Sequence, residues 1–157
     1  MSTITTANTT ATPTAARILR EGYGDGAWHG PDLKAALTDV TPDAAFRRPA
    51  RGRHNIAEIA MHHAYCIRGV RAKLTGVDAE PFILEGDDWF ALDDESAMPW
   101  SRILEAIRVE QVRLAQVVAD LPSPLAGDAF DLVLGITCHA VYHAGQIQLI
   151  KRLLAQR

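Results

Sequence analysis

The sequence has few of the features that mark secreted, nucleic-acid-binding or membrane-spanning proteins. Its two cysteines, Cys66 and Cys138, form no CxxC pair and no disulfide framework, so we expect a cytoplasmic location and small buried thiols. Acidic residues outnumber basic ones by 19 to 16, and the net charge of -3 gives no electrostatic support for nucleic-acid binding. The longest apolar segment, 129–150, contains two histidines, one aspartate and two glutamines, which a membrane-spanning helix would not normally tolerate.

The composition that remains is that of one globular domain. Apolar residues make up 48% of the 157 residues and charged residues 22%, both close to globular averages. Residues 1–13 are rich in serine, threonine and alanine, and they lack the basic start and apolar stretch of a secretory signal. We therefore predict a disordered tail at 1–13 and a single folded domain at 14–157.

Apolar residues recur at helical spacing, and no segment alternates convincingly as a strand. The pattern predicts four long helices, at about 14–23, 55–75, 99–121 and 130–155. Ser96 or Ala97 is the expected cap of the third, and short helices are predicted near Pro31 and Thr41. The expected fold class is all-α, a four-helix bundle with short extra helices near the N-terminus. The loop at 77–98 is long and leaves room for a crossover connection.

Two histidines lie in the apolar stripe of the last helix. His139 and His143 follow Ile136 and precede Ile147, at steps of three or four residues, so all four share one helix face. Side chains at i and i+4 lie about 5–6 Å apart at Cβ, and two imidazoles at that spacing can converge on one ion. Because an unpartnered imidazole in a hydrocarbon core is costly, a metal would satisfy both rings at once.

A third histidine is available on the second long helix, at His62 or His63. The apolar stripe that includes Ile56 and Ile67 contains His63, so periodicity leans toward that residue. The neighbouring face contains His62, with Glu58 one turn earlier, and can also carry polar chemistry. Spacing alone leaves the choice open.

Several phrases of the sequence resemble the DinB/YfiT-like superfamily. The segment 138–153, CHAVYHAGQIQLIKRL, resembles the closing helix of that superfamily, and 54–62, HNIAEIAMH, resembles the opening of its ligand-bearing helix. The phrases at 27–31, AWHGP, and 86–90, GDDWF, are similar to its DinB-like members. The likeness covers roughly residues 15–155.

This resemblance implies a four-helix bundle with one divalent transition metal, zinc or nickel. Carried over residue by residue, the ligands it implies are His62, His139 and His143, which selects His62 over His63. Many relatives form homodimers, and some transfer low-molecular-weight thiols. The resemblance itself supplies no reaction.

Three neutral imidazoles leave at least one coordination position open, which is typical of catalytic zinc sites. A metal held in this way lowers the pKa of a bound water toward ~7 or activates a thiolate. Glu58 is the candidate catalytic residue, as a proton acceptor or a partner of His62. The first hypothesis is a metal-dependent hydrolase or small-thiol S-transferase that acts on a small molecule. The alternatives are a non-catalytic metal-binding or stress-response module, and a structural bundle whose histidines are only hydrogen-bonded.

Overall fold

The computed structural model describes residues 14–24 and 26–156, and this part of the chain contains helices and no strand. The helices are α1 Thr14–Gly22, α2 Leu33–Leu37, α3 Pro42–Phe46, α4 Ile56–Thr75, α5 Trp100–Ala119 and α6 Gly127–Ala155. The predicted all-α class is confirmed. The predicted tail at 1–13 lies outside the described residues.

The ends of α4 form where the sequence places its strongest signals. The Asn55 side chain accepts a hydrogen bond from the Glu58 amide, and Gly76 closes the helix in the left-handed region with φ 69°. The expected cap of α5 was wrong, because Pro99 precedes its first turn and the amide of Trp100 donates instead to Glu95. The last helix begins three residues earlier than predicted, since its exposed first turn carries no apolar periodicity.

The bundle consists of α1, α4, α5 and α6, each of which packs against two of the others: α1 on α5 and α6, and α4 on α5 and α6. The short helices lie outside this ring, with α2 against α6 and α3 against α4. No helix in the described ranges is long and apolar enough to cross a membrane.

Two apolar clusters fix the directions of the helices. The first contains Ile56, Ala60, Trp100, Ile103, Ile147 and Ile150, and the second contains Ile67, Leu114, Val118, Val133 and Ile136. The start of α4 therefore packs with the start of α5 and the end of α6. It follows that α4 and α5 run in the same direction and α6 runs opposite to them. The segment 76–99 must accordingly return along the length of the bundle, about 30 Å for 20 helical residues.

The segment 76–99, called the crossover below, is hydrogen-bonded to the start of α4. The buried Asn55 amide donates to the carbonyls of Phe46 and Leu92, at 3.0 and 2.6 Å, while the Leu92 amide donates to Glu58. Nearby, Phe90 is buried in the core. Because Phe90 and Leu92 hold the chain directly after position 89, Asp88 and Trp89 lie over the first half of α4, against His62.

Candidate metal centre

Four imidazoles meet where α4 faces α6. His139 Nε2 lies 3.2 Å from His62 Nε2 and 3.0 Å from His143 Nε2, so one ring nitrogen of His139 contacts a ring nitrogen of each of the other two histidines. The other nitrogen of the His139 ring, Nδ1, lies 2.9 Å from Nδ1 of His63. The structure thus brings all four histidines of the sequence argument together, on two different sides of His139.

The spacing of the three Nε2 atoms matches the demands of a metal. With metal–nitrogen bonds of about 2.0–2.1 Å and tetrahedral angles, two ligand nitrogens lie about 3.3 Å apart. The two measured separations, 3.2 and 3.0 Å, are close to that value. These two separations within the set of His62, His139 and His143 are therefore compatible with an imidazole-binding divalent ion such as zinc.

Hydrogen bonds on the outer nitrogens fix two of these rings. Nδ1 of His62 lies 2.9 Å from both the carbonyl oxygen and a carboxylate oxygen of Asp88, and Nδ1 of His143 lies 2.6 Å from Oε1 of Gln146. Since oxygen acceptors require a hydrogen on Nδ1, the Nε2 atoms of both rings carry lone pairs. Partners of this kind orient imidazole ligands in known metal sites.

Burial keeps the rings of His63, His139 and His143 neutral. It lowers the pKa of His143 to about 4, a change that the Gln146 hydrogen bond opposes and nearby His139 and His62 reinforce. The pKa of His139 is lowered by burial and by His62 beside it. The fully buried His63 ring has a pKa well below its ordinary value for the same first reason. Neutral rings are the form that binds a metal.

Cys66 is a further candidate donor that the sequence interpretation missed. Its Sγ lies 3.8 Å from His62 Nε2, and the ligand atoms of Cys66, His62 and His139 all lie within 4.8 Å of one another. The i, i+4 step from His62 to Cys66 was the available signal. Burial, together with the Asp88 carboxylate, raises the pKa of the Cys66 thiol to about 12. The expectation of two buried thiols was wrong, since Cys66 is partly exposed and Cys138 exposed.

Trp89 from the crossover covers the His62 ring. Its indole stacks on His62 with ring centres 4.0 Å apart and planes 4° from parallel, and it also stacks on His54 at 3.8 Å. The His54 ring donates from Nδ1 to Oε2 of Glu58 at 2.8 Å. A continuous series of contacts therefore joins Glu58 to His62 through two aromatic stacks.

Glu58 itself lies at the start of α4 with its carboxylate buried. Arg48 donates to both carboxylate oxygens, at 2.5 and 3.0 Å, and the Leu92 amide donates to one of them. Burial alone would raise the pKa of Glu58, but the hydrogen bonds from Arg48, His54 and Leu92 outweigh it and lower that pKa. The carboxylate is thus held as a charged anchor of the crossover.

A cleft of about 660 Å³ leads from solvent to the histidines. Its inner wall is formed by His62, His139 and His143, and Trp89 and Gln146 lie beside them. The rest of its lining consists of Pro49, Ala50, Gly52, Arg53, His54, Ile59, Tyr142, Leu149, Ile150 and Leu153. The volume lies in the range of small-molecule sites, about 300–1,000 Å³.

Other residues considered from the sequence lie elsewhere. Trp28 is 93% exposed, and the His29 ring lies 2.7 Å from the carbonyl of Glu21. Phe90 and Tyr65 pack against each other in the core. Of the aromatic residues in the phrases at 27–31 and 86–90, Trp89 is the one that stacks on the histidines.

The sequence matches one known protein family over most of its length. The sequence model of the DinB superfamily matches residues 27–147, which include all four clustered histidines and Trp89. No curated protein and no solved structure gives a significant match. The family match covers well over half of the chain, and the helical fold agrees with it. The chain therefore belongs to the DinB superfamily.

Proposed function

We propose that this protein binds one divalent transition metal, zinc or nickel, through Nε2 of His62, His139 and His143, and that it is a metal-dependent hydrolase or small-thiol transferase. The observation that carries the metal proposal is the convergence of the three Nε2 atoms. Two of them carry lone pairs whose direction is set by Asp88 and Gln146.

Hydrogen bonding alone satisfies this arrangement poorly. A neutral imidazole nitrogen has either one hydrogen or one lone pair. His139 can offer one N–H at Nε2, yet two acceptors, on His62 and His143, lie within 3.2 Å of it. One hydrogen cannot serve both at full strength, whereas a cation accepts lone pairs from all three rings.

The cleft favours catalysis over storage of the metal. The three proposed ligand histidines line it, so the side of the site that faces away from the bundle is open to a small molecule. When bound, the metal supplies Lewis acidity and activates a water or thiol at that side. Leu149, Leu153 and Tyr142 offer apolar contact to a substrate, and Arg53 offers a positive charge.

For Glu58 the contacts favour a positioning role over proton transfer. Both of its oxygens accept from Arg48, and His54 and the Leu92 amide occupy them further. Through His54, Glu58 holds the ring on which Trp89 stacks, and Trp89 in turn stacks on His62. Glu58 thereby stabilises the wall of the site without contact with a substrate.

The metal proposal is tested by metal content and affinity. Protein purified without chelator or affinity tag is analysed for metals, and the metal-free form is titrated with zinc and nickel by calorimetry. His143→Ala should lose stoichiometric binding and keep its helix content, because the ring supplies one of three ligands. His29→Ala is the matched control, since that ring lies at the carbonyl of Glu21. Wild-type occupancy in His143→Ala would refute the ligand assignment.

The reaction is tested separately with metal-loaded and metal-free protein. Simple esters and amides probe hydrolysis, and glutathione, bacillithiol and mycothiol probe thiol transfer to an electrophile. Turnover that requires both the metal and His143 supports the enzyme. Stoichiometric metal without turnover in any of these assays would favour the non-catalytic metal-binding module.

A further inference from the structure

A buried hydrogen-bond chain extends from the centre of the bundle to the proposed metal site. Gln111 on α5 places its Nε2 3.2 Å from Nε2 of His63, and Nδ1 of His63 lies 2.9 Å from Nδ1 of His139. His63 is fully buried, and Gln111 is 6% exposed. The chain therefore crosses α5, α4 and α6, and its middle member, His63, is out of contact with bulk water.

Two directions of donation satisfy this chain. Each neutral imidazole has one donor and one acceptor nitrogen, and an amide offers a donor at one end and an acceptor at the other. In the first direction Gln111 Nε2–H donates to His63, His63 Nδ1–H donates to His139, and His139 Nε2 carries a hydrogen. In the second direction the amide presents its oxygen, His63 carries its hydrogen on Nε2, and His139 carries its hydrogen on Nδ1.

The structure has the first direction, because the nitrogen of Gln111 faces His63. In that direction the His139 Nε2–H points toward the lone pairs of His62 and His143, at 3.2 and 3.0 Å. A metal at the same point requires a lone pair on His139 Nε2, which belongs to the second direction. Metal binding and the first direction are therefore mutually exclusive.

We propose that Gln111 and His63 are positioning residues that reverse their hydrogen bonds when the metal binds. This inference rests on the proposed metal site. The hydrogen of His139 moves from Nε2 to Nδ1, that of His63 moves from Nδ1 to Nε2, and the Gln111 amide rotates by half a turn. No proton is gained or lost by these three side chains, and in both states each ring nitrogen of the buried His63 has a hydrogen-bond partner.

The amide of Gln111 is what makes both states accessible. A carboxylate at this position can only accept, so Gln111→Glu should fix the second direction even without metal. Gln111 also lines a cavity together with Arg20 and Lys34, and their positive charges favour an ionised carboxylate there. A thioether of similar length, in Gln111→Met, is at most a weak acceptor and leaves His63 Nε2 without an adequate partner in either direction.

Nitrogen NMR of the histidine rings determines the direction of hydrogen-bond donation along this chain, and it requires no activity assay. Long-range ¹H–¹⁵N spectra of the wild-type protein, with and without zinc, report which ring nitrogen carries the hydrogen. We expect His63 to change from Nδ1–H to Nε2–H on zinc binding, and metal-free Gln111→Glu to have Nε2–H already. A His63 ring that keeps Nδ1–H in the zinc form, or in Gln111→Glu, would overturn the inference.

Zinc affinity gives a second measure. Gln111→Met should bind zinc about 10-fold more weakly, and Gln111→Glu at least as tightly as the wild type. Gln116→Met is the matched control, because this exposed α5 glutamine lies beside Asp120 and away from the histidines. Equal affinities for Gln111→Met and the control would contradict a positioning role. If the wild type binds no zinc, the proposed function fails too, whereas zinc binding without a change at His63 refutes the chain alone.

Discussion

The stacking of Trp89 on His62 predicts that an aromatic residue outside the ligand set governs metal affinity. Trp89→Ala removes the ring that lies parallel to His62 at 4.0 Å, while the Asp88 hydrogen bonds at His62 Nδ1 remain available. The imidazole then gains rotational freedom in the metal-free protein. Binding must restore its orientation, so the affinity falls although no ligand is lost.

The size of the effect follows from the stack. An aromatic pair of this geometry contributes about 0.5–1.5 kcal/mol beyond the area it buries. A central value of about 1 kcal/mol corresponds to roughly fivefold in the dissociation constant. Trp89→Phe keeps a flat ring over His62 and should recover most of that loss.

Competition with a chromophoric zinc chelator measures the dissociation constant of zinc for each variant. Trp28→Ala is the matched control, because Trp28 is 93% exposed and the same residue type is lost. The reasoning is refuted if Trp89→Ala binds zinc as tightly as Trp28→Ala does. It is also refuted if Trp89→Phe is no better than Trp89→Ala.

Two further predictions concern residues of α4: the relative effects of His62 and His63 on metal binding, and the contribution of Glu58 to stability. His62→Ala should weaken metal binding far more than His63→Ala, because the first ring faces the point where the Nε2 atoms converge and the second faces His139 Nδ1; titration of the two variants with zinc checks the order, and the reverse order would make His63 the ligand. Glu58 should stabilise the fold above its unfolded pKa of about 4.3, and this contribution should disappear as the pH falls through its lower pKa in the folded state. Urea unfolding of the wild type and Glu58→Gln between pH 3 and 7 should therefore give free energies of unfolding that differ at neutral pH and converge in acid, and a difference that grows in acid would contradict the sign.

The sequence carries enough information for the helices and for the histidine pair of α6. Asn55 and Gly76 are strong local signals, since one side chain caps the first turn and one glycine adopts a positive φ at the end. The step from His139 to His143 is likewise local, because helix geometry alone places both rings on one face.

The choice between His62 and His63 depends on information that periodicity lacks. Both rings contact His139, at Nε2 and Nδ1 respectively, so both lie on the inner side of α4. Which of them faces the convergence point depends on the rotation of α4 relative to α6. Tertiary packing sets that rotation, and it is the resemblance to relatives, not the apolar stripe, that favours His62 as the ligand.

The position of the crossover could not be derived from local pattern either. Trp89 reaches His62 because Asn55 and Glu58 bind the backbone of Leu92, a contact between segments more than 30 residues apart in sequence. Loop residues follow no period, so nothing in the spacing of Asp88 and Trp89 predicts where they lie. Cys66 was overlooked because a cysteine in an apolar helix pattern normally packs as a small hydrophobe.

X-ray absorption at the zinc edge of the zinc-loaded wild-type protein tests the central claim most directly. We predict three imidazole nitrogens at about 2.0–2.1 Å and one oxygen from water, with no sulfur in the coordination shell. A sulfur at about 2.3 Å would show that Cys66 closes the site and would contradict an open position on the metal. Fewer than three imidazoles would contradict the convergence of His62, His139 and His143 on one ion.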